Sequence, residues 1–121
     1  MQYLLMIYTD EAVDNAMGPE EMGSLLESYG RFTAELEAAG ALVGGERLHP
    51  VGTATSVRSR DGKVTLTDGP FAETKEQLGG YYIIDVPGLD EAIAWAKKLP
   101  SVVHGTIEVR PVWAAEGGEA G

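Results

Sequence analysis

Asp68, in the run "TLTDGPFAETKEQLGGYYIIDV" from Thr65 to Val86, is the carboxylate with the clearest opening to chemistry. A carboxyl group withdrawn from water moves toward a pKa suited to proton transfer, while a nearby guanidinium or backbone amides hold it ionised. The same Asp-Gly-Pro-Phe is also turn chemistry, in which Asp caps its own backbone, Gly takes unusual dihedrals and Pro fixes the exit. An imidazole partner must come from His49 or His104. His49 is the better placed, because it precedes Pro50 on the segment leading toward Asp68. Asp68 and His49 are therefore the candidate catalytic residues. Arg110 in "IEVRP" carries the planar fork of donors that matches a substrate carboxylate, although Glu108 two residues earlier offers it an ion pair on the same strand face. Phe71 and Tyr82 are aromatic groups that could line a pocket with Arg110, and packing is the competing use of both.

Other chemistries are not announced. The chain has no Cys, and its two His and its carboxylates show no metal-ligand spacing, so no metal is expected. It has neither a phosphate-cradling glycine loop nor a dinucleotide fingerprint nor a nucleophile elbow, so no cofactor is expected either.

The elements that must position these residues follow from periodicity. "YLLMIY" is apolar on both alternating faces, as in a central strand covered on both sides. Pro19 suits the first turn of a helix whose apolar residues Met22, Leu25, Leu26, Tyr29, Phe32, Thr33 and Leu36 recur at steps of three and four, with Gly40 as its stop. "ALVGGERL" reads as a second strand in which Gly44 and Gly45 predict a bulge or a close backbone approach. Asp61-Gly62 between two alternating runs predicts a tight hairpin pairing Arg60 with Lys63, Val57 with Leu66 and Thr55 with Asp68. That register places Thr55, Val57, Ser59, Val64, Leu66 and Asp68 on a face expected to be covered, and Arg58, Arg60, Lys63 and Thr65 on a wet, basic one. "AETKEQ" reads as a loop and "GYYIIDV" as a strand with Tyr81 and Tyr82 on opposite faces. A helix follows from Leu89 to Leu99, with its stripe on Leu89, Ala92, Ile93, Ala96 and Leu99, and "GTIEVRPVW" is the last strand.

This order predicts an α+β fold, a ferredoxin-like βαββαβ chain with an inserted β-hairpin, forming one domain over 1–113 and a disordered tail over 114–121. Both helices on one face of a sheet leave the other face bare, which predicts a homodimer through the sheet faces. A net charge of −10 argues against nucleic acid and anionic membranes as partners and leaves proteins or a small-molecule ligand. The absence of Cys suits a reducing cytoplasm, and "MQYLLMIYTDEA" lacks the basic start of a signal peptide.

The residues "TDGPFAETKEQLGGYYIIDV", with "GGERL" upstream and "IEVRPV" near the end, resemble the YCII-related family, in particular its DGPF branch, and the likeness runs from "YLLMIY" to "EVRPV". The resemblance implies a dimeric α+β barrel built from ferredoxin-like subunits. It also implies a bacterial, cytoplasmic protein, of a kind often encoded beside extracytoplasmic-function sigma factors and mostly without established activity. In the broader family a His–Asp pair, with the His on the first helix, has been proposed as catalytic. Here Pro19 to Ala39 contains no His, so Asp68 alone matches, through the DGPF motif. The expected function is acid/base chemistry on a small organic acid in a pocket near Asp68. The alternative is a non-catalytic ligand-binding or regulatory module associated with a sigma-factor system.

Overall fold

The structure is a computed structural model and describes residues 1–114; of the expected tail only Ala114 falls within them. Strand β1 (Gln2–Thr9) alternates half-buried and buried residues, with Tyr3, Leu5, Ile7 and Thr9 pointing inward. A short helix α1 (Glu11–Asn15), which periodicity did not predict, is N-capped by Asp10, whose carboxylate accepts from the Ala12 N–H at 2.9 Å. Helix α2 (Pro19–Ala38) starts at its predicted Pro. It stops at Gly40, whose φ of +70° allows the Ala41 N–H to reach back to the Leu36 carbonyl at 3.0 Å.

Strand β2 (Leu42–Arg47) carries the expected irregularity, with Val43 bulging out between Leu42 and Gly44. The expected close approach lies one residue on: a Cβ on Gly45 would sit 2.6 Å from the Tyr81 carbonyl oxygen. Strands β3 (Thr55–Arg60) and β4 (Lys63–Asp68) form the hairpin in the predicted register, from Arg60 opposite Lys63 to Thr55 opposite Asp68. Both turn residues, Asp61 and Gly62, take positive φ, as the tight turn requires. After the loop, β5 (Gln77–Asp85) begins three residues earlier than its apolar run suggested, because Gln77 and Leu78 still pair with Thr9 and Tyr8 across a bulge at Gly79. Helix α3 (Leu89–Lys98) and β6 (Thr106–Pro111) complete the chain, joined by the 3-10 helix Pro100–Val103.

The main sheet has the antiparallel order β2-β5-β1-β6, the ferredoxin-like arrangement, and β3-β4 stands apart as a sheet of its own. The core lies between the main sheet and helices α2 and α3, where Leu5, Leu36, Ile84 and Leu99 are fully buried, each contributing about 1.5–3 kcal/mol. Two stripes are narrower than predicted. On α3 only Ala92, Ala96 and the following Leu99 are buried, while Leu89 and Ile93 are exposed. On α2 only Phe32 and Leu36 are buried, so the first half of the helix stands off the sheet. Among the described residues no helix is long and apolar enough to cross a membrane.

Candidate functional site

The gap under the first half of α2 is a cavity of about 800 Å³, within the size range of small-molecule sites. Its roof is Met22, Leu25, Leu26, Tyr29 and Thr33, and its floor is the sheet around Ile7, Gly80 and Tyr82. Glycine makes part of that room: a Cβ built on Gly79 meets nothing nearer than the Ile7 carbonyl at 3.9 Å and Thr9 Oγ1 at 4.0 Å.

Hydroxyl groups line this space in pairs. Thr9 is the last inward residue of β1, and α1 turns the chain back so that Asp14 lies over it. The Thr9 hydroxyl donates to Asp14 Oδ2 at 2.6 Å. Asp14 Oδ1 is sealed from water and finds no hydrogen-bond partner among the described residues. Helix α1 is braced from both sides, since the Glu11 N–H donates to Gln77 Oε1 and the Glu11 carboxylate accepts from the Val51 N–H, both at 3.0 Å. One turn apart on α2, Tyr29 shares a 2.5 Å hydrogen bond with Ser101 Oγ, and Thr33 a 2.7 Å bond with the Tyr82 hydroxyl. The Thr33 hydroxyl already donates to the Tyr29 carbonyl at 2.9 Å, so its one proton is used and Tyr82 must be the donor of the second bond.

Burial pushes the Tyr29 hydroxyl above its ordinary value of 10.0; the Ser101 hydrogen bond opposes this, and the nearby Tyr82 and Asp14 reinforce it. Tyr29 is therefore protonated at neutral pH. The folded-state pKa exceeds the unfolded one, so the folded state keeps a proton that the unfolded state loses. This contribution to stability is complete below about pH 10 and is lost as pH rises toward the folded pKa. A Tyr29→Phe variant is expected to lose less stability than wild type between pH 9.5 and 11 in urea titrations; equal slopes would refute the assignment.

Of the residues chosen from sequence, Tyr82 enters this pocket and the rest lie elsewhere. Asp68 is exposed at the base of the hairpin, its carboxylate making no hydrogen bond to the described residues. The turn around it is held by other atoms: Gly69 takes a φ of +97°, its N–H donates to the Ala54 carbonyl at 2.6 Å, and its carbonyl accepts from the Ser56 hydroxyl at 2.8 Å. Phe71 is 78% exposed, with the Arg58 guanidinium 5.9 Å from its ring centroid. His49 is exposed on the connection after β2. Arg110 pairs with Glu108 on the open face of the sheet. Among the described residues the hairpin face expected to be covered is open: Val57, Val64 and Leu66 are exposed, and β3 and β4 pair only with each other.

Sequence reasoning missed Thr9, Asp14 and Ser101 as pocket residues, and counted Tyr29 and Thr33 only as part of an apolar stripe. The available signals were the "TDEA" cap and two hydroxyl residues four apart on an inner helix stripe. No group of three or more His, Asp or Glu among the described residues could hold a metal.

Residues 1–116 match the YCII-related domain model. An uncharacterized protein of Rhizobium meliloti (strain 1021) is 39% identical over 121 residues, a match that covers 98% of this chain and 98% of that protein.

Proposed function

The chain belongs to the YCII-related domain family, and we propose that within it, as a member of its DGPF branch, it binds a small organic molecule between α1, α2 and the sheet. The observation that carries this is the cavity under α2, with apolar walls for the body of a ligand and the hydroxyls of Tyr29, Thr33, Tyr82 and Ser101 to orient it. Its charges favour one class of ligand. Glu11, Asp14 and Glu37, with Glu46 at the β2 edge, line the space against Arg47, the single cation there among the described residues, a balance that suits a neutral or amine-bearing molecule better than an organic acid. Neither histidine lines the cavity, which supports binding over imidazole-based acid/base turnover. Acid/base chemistry at Asp68 is a separate proposal, because it requires a second chain to enclose a carboxylate that one chain leaves in water.

The assembly proposed with this reading is a homodimer through the open sheet faces. Leu4, Met6, Tyr8, Tyr81 and Ile83 share that face and are only half-buried in one chain, so a second copy would bury an apolar surface that water otherwise meets.

A thermal-shift screen of small amines and neutral aromatics against three variants tests the pocket. Gly79→Leu projects into the cavity with room for its Cβ and is expected to abolish ligand-induced stabilisation while the fold persists. Tyr29→Phe should weaken binding by about tenfold, the worth of one hydrogen bond of about 1.4 kcal/mol. Asp68→Asn should leave binding unchanged. A ligand whose stabilisation survives Gly79→Leu but not Asp68→Asn would move the site to the hairpin.

A further inference from the structure

We propose that the hairpin β3–β4 is a dimerisation arm that packs Val57, Val64 and Leu66 on the open sheet face of a second copy of this chain, extending the face-to-face dimer on which this inference rests. These three side chains are 64%, 66% and 69% exposed, and the register places all three on one side of the hairpin. A two-stranded ribbon with one apolar side gains little by standing in water alone, and a packed surface is what stabilises it. Among the described residues that surface is missing, since β3 and β4 join no other strand.

Charge identifies the occupant. The arm, residues 55–68, carries three of the nine Lys and Arg and two of the nineteen Asp and Glu, so its formal charge is +1 against −11 for the rest of the chain. A basic arm on a strongly acidic body is attracted to another copy of that body. The receiving face matches in pattern as well. Its apolar row, Leu4, Met6, Tyr81 and Ile83, lies between Glu46 on β2 and, on β6, Glu108 with the Arg110 that pairs with it, so Glu46 is the acid of this row left to meet the arm. The arm has an apolar stripe, and Arg58, Arg60 and Lys63 have stems long enough to bring their charges from its other side to the rim.

The DGPF turn thereby gains a mechanical role. The Gly69 and Ser56 hydrogen bonds fix the base of the arm, and Pro70 follows with the φ its ring fixes.

Sedimentation equilibrium of the full chain tests both levels. Wild type is expected to dimerise, and more weakly as salt rises. The triple variant Val57→Thr, Val64→Thr, Leu66→Thr keeps β-branched or strand-compatible residues while removing apolar surface, and should raise the dimer dissociation constant at least about tenfold. As the chain has no Cys, Leu66→Cys labelled with an environment-sensitive fluorophore reports the same contact on an otherwise native arm. Its emission should shift blue as concentration crosses the dimer midpoint. A monomeric wild type would overturn the dimer itself. A dimer with unchanged affinity in the triple variant, or a label indifferent to concentration, would overturn the arm and leave the dimer standing.

Discussion

Gly105→Ala is expected to lower stability by about 3 kcal/mol, at the upper end for one added methyl in a packed site. For a chain of this size that is roughly a 10 °C fall in melting temperature. Gly105 does not need unusual dihedrals; it needs space. A Cβ there would lie 2.3 Å from the Tyr8 carbonyl oxygen, 2.9 Å from Thr9 Cγ2 and 3.2 Å from the Ser101 carbonyl oxygen. Two of these are backbone atoms, so no side-chain rotation relieves the clash. The chain must move either at the start of β6, where Thr106 pairs with Tyr8, or at Ser101, whose carbonyl accepts the Gly105 N–H at 2.8 Å. Either movement reaches the pocket, through Thr9 and Asp14 or through Ser101 and Tyr29. Loss of ligand-induced stabilisation should therefore accompany the fall in melting temperature. Gly52→Ala is the control, since a Cβ there meets nothing within 4 Å. If Gly105→Ala melts within about 2 °C of that control, the close approach is not what holds this corner.

The fold was legible in the sequence wherever local chemistry and burial pointed the same way. Asp61-Gly62 determined a turn and, through it, every pair of the hairpin; Pro19 and Gly40 bounded α2; the doubled apolar pattern of β1 marked a central strand. The site was less legible, for a physical reason. Tyr29 and Thr33 fall on the inner stripe of α2 whether that stripe is packed or stands over a cavity, and only the separation of helix from sheet distinguishes the two. That separation depends on tertiary packing, above all on Phe32 and Leu36 anchoring only the second half of the helix. Asp14 was hidden in a five-residue helix too short for periodicity to reveal. The alternation that aimed the hairpin's apolar side at a covering surface identified which residues share a face, but alternation does not say whether the cover lies in the same chain.

Phe32→Ala is expected to cost about 3–5 kcal/mol, the range for removing a buried aromatic ring, and to reduce ligand binding as well. Phe32 is 3% exposed and meets two rings edge-on: Tyr82 at 5.2 Å and 69°, and Trp95 at 5.9 Å and 85°. It thus ties α2 to β5 and to α3 at one point, at the boundary between the packed half of the helix and the half over the cavity. Removing it takes away apolar area and also the support that holds the Tyr82 hydroxyl against Thr33. Phe32→Leu separates these contributions: it retains much of the volume and should cost under about 2 kcal/mol, yet it lacks the ring edge against which Tyr82 packs. Binding should then fall in both variants while stability falls steeply only in the first. Fluorescence provides the check, because the chain has two Trp and one of them, Trp113, is 92% exposed. In a Trp113→Phe background the remaining emission comes from Trp95, and Phe32→Ala should shift it red in the folded state. Unchanged emission together with unchanged binding would place the support of the pocket outside this aromatic triad, leaving the Tyr29–Ser101 and Tyr82–Thr33 hydrogen bonds to fix its geometry alone.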